Sequence, residues 1–326
     1  MSAILVLGGT SWVGGQIVDE AVARGHDVTC LARGESGEAP PGATFVRADR
    51  ADPGAYYEVR ARSWDSVIDV SRQPGQVRSA VDALGGAAAH WTFVSTGSVY
   101  ADQSVPLTED SPLLVPLAGE VGEPEQYGEG KVACELAVQE LPRHLIVRAG
   151  LIGGPGDRSD RLGYYVSRFA LAGDQPVLLP GVGSQPMQVI DVRDLARWVV
   201  LAAEDGVAGT MHAVGQHTTV GEIGQVSAEV AGFRGDRVLA EEPWLHAHDV
   251  EEWMGPRSLP LWLPASHHGM GMMDDARALA HGLERRPVAE TVRDTLIDER
   301  ARGLDRPRQA GLDRADELAL IAELRP

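Results

Sequence analysis

The chain has 326 residues and a formal net charge of −18, with 44% hydrophobic and 23% charged residues. This composition is that of an ordinary globular protein, and the length suits one large α/β domain or two smaller ones. Because the acidic excess repels nucleic-acid phosphates and anionic lipids, the charge argues against nucleic-acid and membrane partners.

The basic residues show an unusual bias: 28 are arginine, one is lysine (Lys131), and the chain has no asparagine. Arginine is used wherever charge alone is needed, so a single retained lysine indicates a specific role. The acids are densest around it, since residues 101–140 hold nine acidic residues and Lys131 as their one basic residue.

No targeting or metal-binding segment is recognisable in the sequence. No apolar run approaches the ~18 residues of a membrane span, and the start lacks the basic residues of a signal peptide. Two cysteines, Cys30 and Cys134, are too few for a disulfide framework, and no Cys/His set has the spacing of a metal site. We therefore predict a cytoplasmic protein without a metal.

Short apolar strands alternate with amphipathic helices in the first third of the chain. Apolar runs predict strands at 4–7, 28–31, 44–47, 66–70 and 91–95, and helical periodicity predicts helices at 12–24, 53–62 and 75–84. Fully apolar strands separated by helices are typical of a parallel sheet that is covered on both faces.

The pattern loosens after residue 95 and resumes with a helix at 127–140, a strand at 145–148, a helix at 192–203 and a strand at 210–214. A helix at 313–324, capped by Asp313, is expected to pack on the body or on a partner subunit. The predicted fold is α/β, a doubly wound parallel sheet formed by residues 1–150 with 185–230 contributing. A smaller interleaved substrate region comprises residues 151–184 and 231–326.

A glycine-rich turn joins the first predicted strand to the first helix. It consists of Gly8, Gly9, Thr10, Ser11, Trp12, Val13 and Gly14. Glycines there let the backbone turn tightly and approach a pyrophosphate, whose charge is met by amides at the helix N-terminus. The turn therefore predicts a dinucleotide cofactor.

Arg33 lies at the end of the next strand, where NAD-binding proteins place an acidic residue for the ribose 2′-hydroxyl. With no acidic neighbour, its guanidinium suits a 2′-phosphate. This favours NADP over NAD, although NAD stays possible and Arg33 could also be an ordinary loop residue.

Tyr127 and the lone Lys131 are four residues apart on a predicted helix, so they share one face. An ammonium beside a phenol stabilises the phenolate and makes the tyrosine usable as an acid/base. Arginine could not replace the compact ammonium well. Two glycines between them weaken the helix by about 1 kcal/mol each, so tertiary contacts must support this turn.

These motifs together resemble the extended short-chain dehydrogenase/reductase superfamily, in its NAD-dependent epimerase/dehydratase branch, over residues 1 to about 215. The resemblance implies a Rossmann-type sheet, with Tyr127 as the acid/base, Lys131 tuning it and holding the ribose, and Thr96 polarising the substrate. It also implies that Asp49 contacts the adenine and that Arg50, Val70 and Ser71 belong to the cofactor site.

Three departures from that family's pattern narrow the function. Ser11 replaces the middle glycine of the turn, which crowds the phosphate site. Gly97 and Ser98 follow Thr96 where sugar-nucleotide dehydratases place Asp and Glu, so elimination of water by that route is not expected. Many sugar-nucleotide epimerases use an asparagine after the strand at 145–148, and this chain has none, which puts a typical UDP-sugar in doubt.

We therefore predict an NAD(P)-dependent oxidoreductase that transfers a hydride to or from a carbonyl or hydroxyl carbon of a small molecule. Epimerisation through a transient ketone with retained cofactor is one alternative, and a non-catalytic nucleotide-binding or RNA-associated regulator is another. A homodimer is possible because the superfamily often pairs through the helix bearing the tyrosine. Candidate substrate residues are Ser98, Arg158, Arg161, Tyr164 and Tyr165.

Overall fold

The computed structural model describes residues 1–325, which form a mixed α/β fold. The strands are β1 (Ala3–Leu7), β2 (Asp27–Ala32), β3 (Thr44–Arg47), β4 (Ser66–Asp69), β5 (Trp91–Thr96), β6 (His144–Ala149), β7 (Leu151–Gly153), β8 (Val177–Pro180), β9 (Pro186–Asp191), β10 (Gly209–Ala213), β11 (His217–Thr219), β12 (Arg237–Ala240), β13 (Glu251–Glu252) and β14 (Ser258–Leu259). The helices are α1 (Trp12–Ala23), α2 (Pro74–Leu84), α3 (Tyr127–Gln139), α4 (Arg161–Ala172), α5 (Val192–Glu204), α6 (Val220–Ala231), α7 (Glu242–Ala247), α8 (Ala276–Ala280), α9 (Val288–Arg302) and α10 (Arg314–Leu324).

A parallel sheet of seven strands forms the centre of the molecule, in the order β10-β6-β5-β4-β1-β2-β3. The chain leaves β1 toward β2 and β3 and then returns to β4 on the other side of β1. This reversal opens a crevice at the carboxyl ends of β1 and β4, which is where doubly wound sheets bind ligands. The structure confirms the predicted Rossmann-type fold.

Alternation along β1 shows how the sheet is covered. Ile4 and Val6 pack in one cluster with α1 and α5, whereas Leu5 and Leu7 pack in another with α2 and α3. Successive side chains of a strand point to opposite faces, so an entirely apolar strand requires helices on both sides. A separate apolar cluster joins α4, α6, α9 and α10 with β8 and β12.

The helix predicted at 53–62 is wrong, because this segment is a series of turns. Most of its backbone hydrogen bonds join residue i to residue i−3, as in a turn, and not to i−4, as in an α-helix. Examples are Ala55 N to Asp52 O (3.1 Å) and Tyr57 N to Gly54 O (3.1 Å). Gly54 is a poor helix former, and the Val59 carbonyl accepts from the Arg62 amide at 3.4 Å, in a three-residue turn, and from the Trp64 indole Nε1 at 3.0 Å.

The helix at the end of the chain forms and packs against the protein's own body. Asp313 is its N-cap, and its side chain accepts a hydrogen bond from Asp316 N at 2.7 Å. Leu320 and Ile321 are buried against the cluster that contains β8. Between residues 1 and 325, no helix combines the length and the hydropathy needed to cross a membrane.

Candidate active site

The glycine-rich turn depends on two glycines for its shape. Gly8 has φ +89°, in the left-handed region, and a Cβ there would lie 2.8 Å from Val70 Cγ2. A Cβ on Gly14 would lie 2.3 Å from the Gly8 carbonyl oxygen. These contacts let the N-terminus of α1 come directly against the end of β1, where its free amides can meet an anion.

Ser11 is accommodated without backbone strain, since its φ is −75°. Its hydroxyl donates to the Gly8 carbonyl at 2.8 Å and accepts from Gly14 N at 3.2 Å, so Ser11 caps α1. The next residue, Trp12, donates from Nε1 to the Pro155 carbonyl at 2.8 Å and so ties the turn to the loop before α4. The serine in place of the family's middle glycine therefore closes this turn.

A small cavity of about 180 Å³ lies at the carboxyl ends of β1, β2 and β4. Most of the predicted cofactor residues line it, namely Gly8, Thr10, Ser11, Arg33, Asp49, Arg50, Val70 and Ser71. Trp12 and Val13 line the larger cavity described below instead. Gly9 and Gly14 line neither: a Cβ on Gly9 would lie 2.6 Å from Cys30 Sγ, so these two glycines serve the packing of α1 on the sheet.

Arg33 has acidic neighbours, contrary to the sequence prediction. Glu35 Oε2 lies 3.1 Å from its guanidinium and Asp49 Oδ2 lies 4.0 Å away. Gly34, with φ +79°, turns the chain back and brings Glu35 to Arg33. About half of the Arg33 side chain is exposed (52%), and exposed pairs of this kind contribute about 0–1 kcal/mol, so a second anion can displace Glu35.

Arg50 is a structural residue rather than a free ligand for a cofactor. Its guanidinium is buried and makes paired hydrogen bonds to Asp69 at 2.9 and 2.8 Å. It also donates to Tyr56 Oη at 3.0 Å, to the Gln76 carbonyl at 2.6 Å and to the Ser71 hydroxyl. Since an arginine has five N–H donors, no side-chain donor of Arg50 remains for a ligand, and Arg50 contributes to the cofactor site only as part of its lining.

The Arg50–Asp69 pair leads to a prediction of acid sensitivity. Burial disfavours the Asp69 carboxylate, but Arg50 and the hydrogen bonds from Ser71 outweigh this and hold the pKa of Asp69 below its usual value. A depressed pKa contributes stability above the unfolded-state value of about 3.9, and this contribution is lost as the pH falls through the folded-state value. We expect Asp69→Asn to destabilise the protein by about 3–5 kcal/mol at pH 7 and by progressively less below about pH 4.

Urea unfolding of both proteins from pH 7 to pH 3 measures this difference. The exposed Asp82→Asn on α2 is the matched control and should show no such trend. A difference that stayed constant down to pH 3 would contradict the assignment.

Lys131 is buried, with 3% of its surface exposed. Its Nζ donates to the carbonyl oxygens of Ser71 and Val94, both at 2.7 Å, and lies 4.4 Å from the centre of the Phe93 ring. Across residues 1–325, no carboxylate lies within 4.0 Å of Nζ, despite the acidity of the surrounding sequence. An ammonium has three donors, so one remains after the two carbonyl bonds.

Tyr127 begins α3 and lines a large cavity of about 1050 Å³ together with Thr96 and Ser98. Thr96 ends β5, and its Oγ1 accepts a hydrogen bond from Ser98 N at 3.2 Å. A Cβ on Gly128 would lie 2.4 Å from the Ser98 carbonyl oxygen. This glycine therefore allows the start of α3 to approach the loop after β5, which places Tyr127 and Thr96 on one cavity.

The predicted substrate residues divide into two groups. Ser98, Arg158 and Arg161 line the large cavity. Tyr164 and Tyr165 are corrected, because they are 0% and 2% exposed and belong to the apolar cluster behind α4. The Tyr165 hydroxyl donates to the Pro260 carbonyl at 2.6 Å, away from the cavity, and burial raises the pKa of both phenols.

Several cavity residues were not singled out from the sequence. They are apolar and come from β9 and from the segment between α7 and α8: Met187, Trp253, Met254, Leu263 and Met270. Four of them lie within the predicted substrate region 231–326, but nothing in the sequence of β9 distinguished Met187.

A buried polar network lies behind the end of β5. Arg148 pairs with Glu135 at 2.7 Å, and Glu135 accepts from the Ser95 hydroxyl at 2.5 Å. Arg148 also donates to Tyr100 Oη at 2.9 Å, and the Tyr100 hydroxyl bonds His212 Nε2. Burial raises the pKa of Tyr100 to about 12 and lowers that of His212, so both stay neutral. This network fixes the strand end that carries Thr96.

Comparison with known proteins gives one family match and many structural matches. Residues 4–85 and 76–215 match the family described as the NAD dependent epimerase/dehydratase family, whereas no curated protein matches significantly. The Bordetella bronchiseptica enzyme WbmH in complex with NAD+ is 18% identical with a TM-score of 0.66, over 92% of this chain and 99% of that one. UDP-glucose 4-epimerase from Thermotoga maritima with UDP-glucose is also 18% identical, with a TM-score of 0.67 over the same shares. UDP-glucuronic acid 4-epimerase from Bacillus cereus in complex with NAD is 16% identical with a TM-score of 0.66, again over 92% and 99%. At such identities these likenesses establish the fold.

Proposed function

Since the chain belongs to the NAD-dependent epimerase/dehydratase family, we propose that it transfers a hydride between a nicotinamide cofactor and a carbonyl or hydroxyl carbon of a small molecule, with Tyr127 as the acid/base. The observation that carries this proposal is the buried Lys131. Its ammonium is held by two backbone carbonyls, has no carboxylate within 4.0 Å in the described part of the chain, and lies one helical turn from Tyr127.

In carbonyl reduction the Tyr127 hydroxyl gives its proton to the substrate oxygen, and in alcohol oxidation it takes that proton back. The Lys131 ammonium stabilises the phenolate that is left after proton transfer. The Thr96 hydroxyl donates to the same substrate oxygen and so favours the charge that develops there. The network behind β5 holds Thr96 in place for this role.

The chain's residues fit a dinucleotide cofactor. At the start of α1 the backbone packs so closely that a Cβ on Gly8 or Gly14 would clash with it or with Val70. The free amides of α1 are available to a pyrophosphate. Asp49 and Val70 line the small cavity and would flank the adenine end. The Lys131 donor that remains beside the bonds to Ser71 and Val94 would hold a ribose hydroxyl. When bound, the nicotinamide supplies or accepts the hydride.

We propose that NADP is preferred, with Arg33 binding the 2′-phosphate. We expect Arg33→Ala to weaken NADPH binding by about tenfold or more, because it removes a charge-assisted hydrogen bond of about 1.5–3 kcal/mol, and to leave NADH binding nearly unchanged. Glu35→Ala should strengthen NADPH binding, since it removes the competing carboxylate.

Fluorescence titration with NADPH and NADH measures both effects. Arg60→Ala, an exposed arginine that lies over Tyr57 outside the small cavity, is the control. If wild type bound NADH as tightly as NADPH, or if Arg33→Ala weakened both equally, NAD would replace NADP in the proposal.

Epimerisation with retained cofactor is a second candidate, because the family and the three structural neighbours above include epimerases. It would use Tyr127, Lys131 and Thr96 through a transient ketone. Net oxidation of free NADPH with a panel of carbonyl compounds supports the reductase. Inversion of a hydroxyl carbon without net NADPH consumption supports the epimerase.

A non-catalytic nucleotide-binding or RNA-associated regulator is the remaining alternative, and the buried Lys131, one helical turn after Tyr127, argues against it. If purified protein bound NADPH while Lys131→Arg left its biological activity unchanged, the catalytic proposal would fail.

We further propose that residues 151–184 and 231–326 form the substrate region. The homodimer and the cytoplasmic location stay predictions.

A further inference from the structure

Arg161 presents a guanidinium without an ion-pair partner to the large cavity. It starts α4, and its Nε donates to the Ser159 hydroxyl at 3.1 Å. The other four N–H groups of the guanidinium have no acceptor within residues 1–325, and no carboxylate approaches within 4.0 Å. Burial lowers the pKa of Arg161, which Asp157 and the Tyr127 phenol partly offset. Because this partly desolvated guanidinium has four open N–H groups and no carboxylate nearby, it favours an anionic partner.

The surroundings of Arg161 fix its direction and are apolar. Its Cζ lies 4.6 Å from the centre of the Trp253 ring, a distance at which the aromatic face holds a guanidinium plane. Met187, Leu263 and Met270 line the same cavity. The nearby Asp157 carboxylate is occupied by Ser159, whose N and Oγ donate to it at 2.8 and 2.9 Å.

The charge balance limits which anion this cavity can hold. Three arginines and three acids line it, so it offers no excess of positive charge. A nucleoside diphosphate brings several negative charges into a chain whose net charge is already −18, and it needs several cations to meet them. The three arginines are Arg72, Arg158 and Arg161, of which Arg72 and Arg158 are exposed and Arg161 is not. The less exposed Arg161 guanidinium, with four open N–H groups, matches one carboxylate, which it can bind in a bidentate manner.

We propose that the substrate is a largely apolar hydroxy or keto carboxylic acid whose carboxylate binds Arg161 and whose body packs on Trp253 and the methionines. This inference rests on the proposed function, because it places the reacting carbon at Tyr127 and Thr96 and the carboxylate at Arg161. It differs from the nucleotide sugars that the structural neighbours bind.

Binding to the full chain saturated with NADPH tests the proposal without requiring turnover. The probes are hexanoate, octanoate and 3-phenylpropanoate, each with its matched primary alcohol, and UDP. We expect the best carboxylate to bind at least about tenfold more tightly than its alcohol and than UDP. Arg161→Met should abolish this preference, Arg161→Lys should keep part of it, and the exposed Arg234→Met should not change it.

The outcomes separate this inference from the proposed function. Carboxylate preference that depends on Arg161, without NADPH oxidation by any keto compound, supports the inference and overturns the function. NADPH oxidation by neutral carbonyl compounds, with no gain from a carboxylate or with tighter binding of UDP, overturns the inference and keeps the function. Failure of every carboxylate to bind also overturns it. The variants' thermal midpoints show that the fold persists.

Discussion

Tyr127→Phe should lower kcat by at least about a hundredfold, because general acid/base catalysis by one side chain contributes about 10²–10⁴ in rate. The change removes one hydroxyl from a side chain that is 38% exposed, so the fold should be unaffected. Cofactor affinity should also be retained, since the small cavity, Lys131 and the α1 amides remain as they are. The expected signature is therefore a loss in kcat with little change in NADPH binding.

Steady-state kinetics with the best substrate, together with NADPH titration, measure this signature. Tyr57→Phe is the matched control, since Tyr57 is 62% exposed and lines neither cavity. A Tyr127→Phe protein with unchanged kcat would remove Tyr127 from the chemistry. Loss of NADPH binding would instead assign it to the cofactor site.

The sequence predicts the sheet because its strands are buried on both faces and are apolar throughout. The sequence also predicts the turn before α1, because the positive φ of Gly8 and the close approach at Gly14 require glycine. Lys131 was found by a compositional signal, a single lysine in an arginine-rich chain. The strand and turn signals act over a few residues and the lysine signal is a count over the whole chain, so all three can be read without knowledge of the fold.

The sequence-based errors concern contacts that depend on the folded backbone, some between distant residues and some between neighbours. Arg50 pairs with Asp69, nineteen positions away, and that partner cannot be read from local sequence. The sequence pattern predicts no helix at 161–172, so it could not separate the buried Tyr164 and Tyr165 from Arg161 as substrate candidates. Arg33 meets Glu35 only because Gly34 adopts a positive φ.

The buried network behind β5 should be essential for stability. Arg148→Met should destabilise the protein by about 3–5 kcal/mol, because it leaves the Glu135 carboxylate buried without its cation. The Glu135 side chain is 1% exposed, so water cannot replace the lost partner. Since Glu135 also accepts from Ser95, beside Thr96, we expect kcat to fall as well.

The double variant Glu135→Leu with Arg148→Met distinguishes an unpaired charge from a simple packing defect. Replacing both members of a buried ion pair by apolar residues is often neutral or stabilising, so most of the lost stability should return. Urea and thermal unfolding measure both variants. If the double variant is no more stable than Arg148→Met, the loss comes from packing, and if Arg148→Met costs less than about 1 kcal/mol, the pair does not hold the strand end. Recovery of stability without recovery of kcat would separate the two roles, because Ser95 would still lack the carboxylate that orients it.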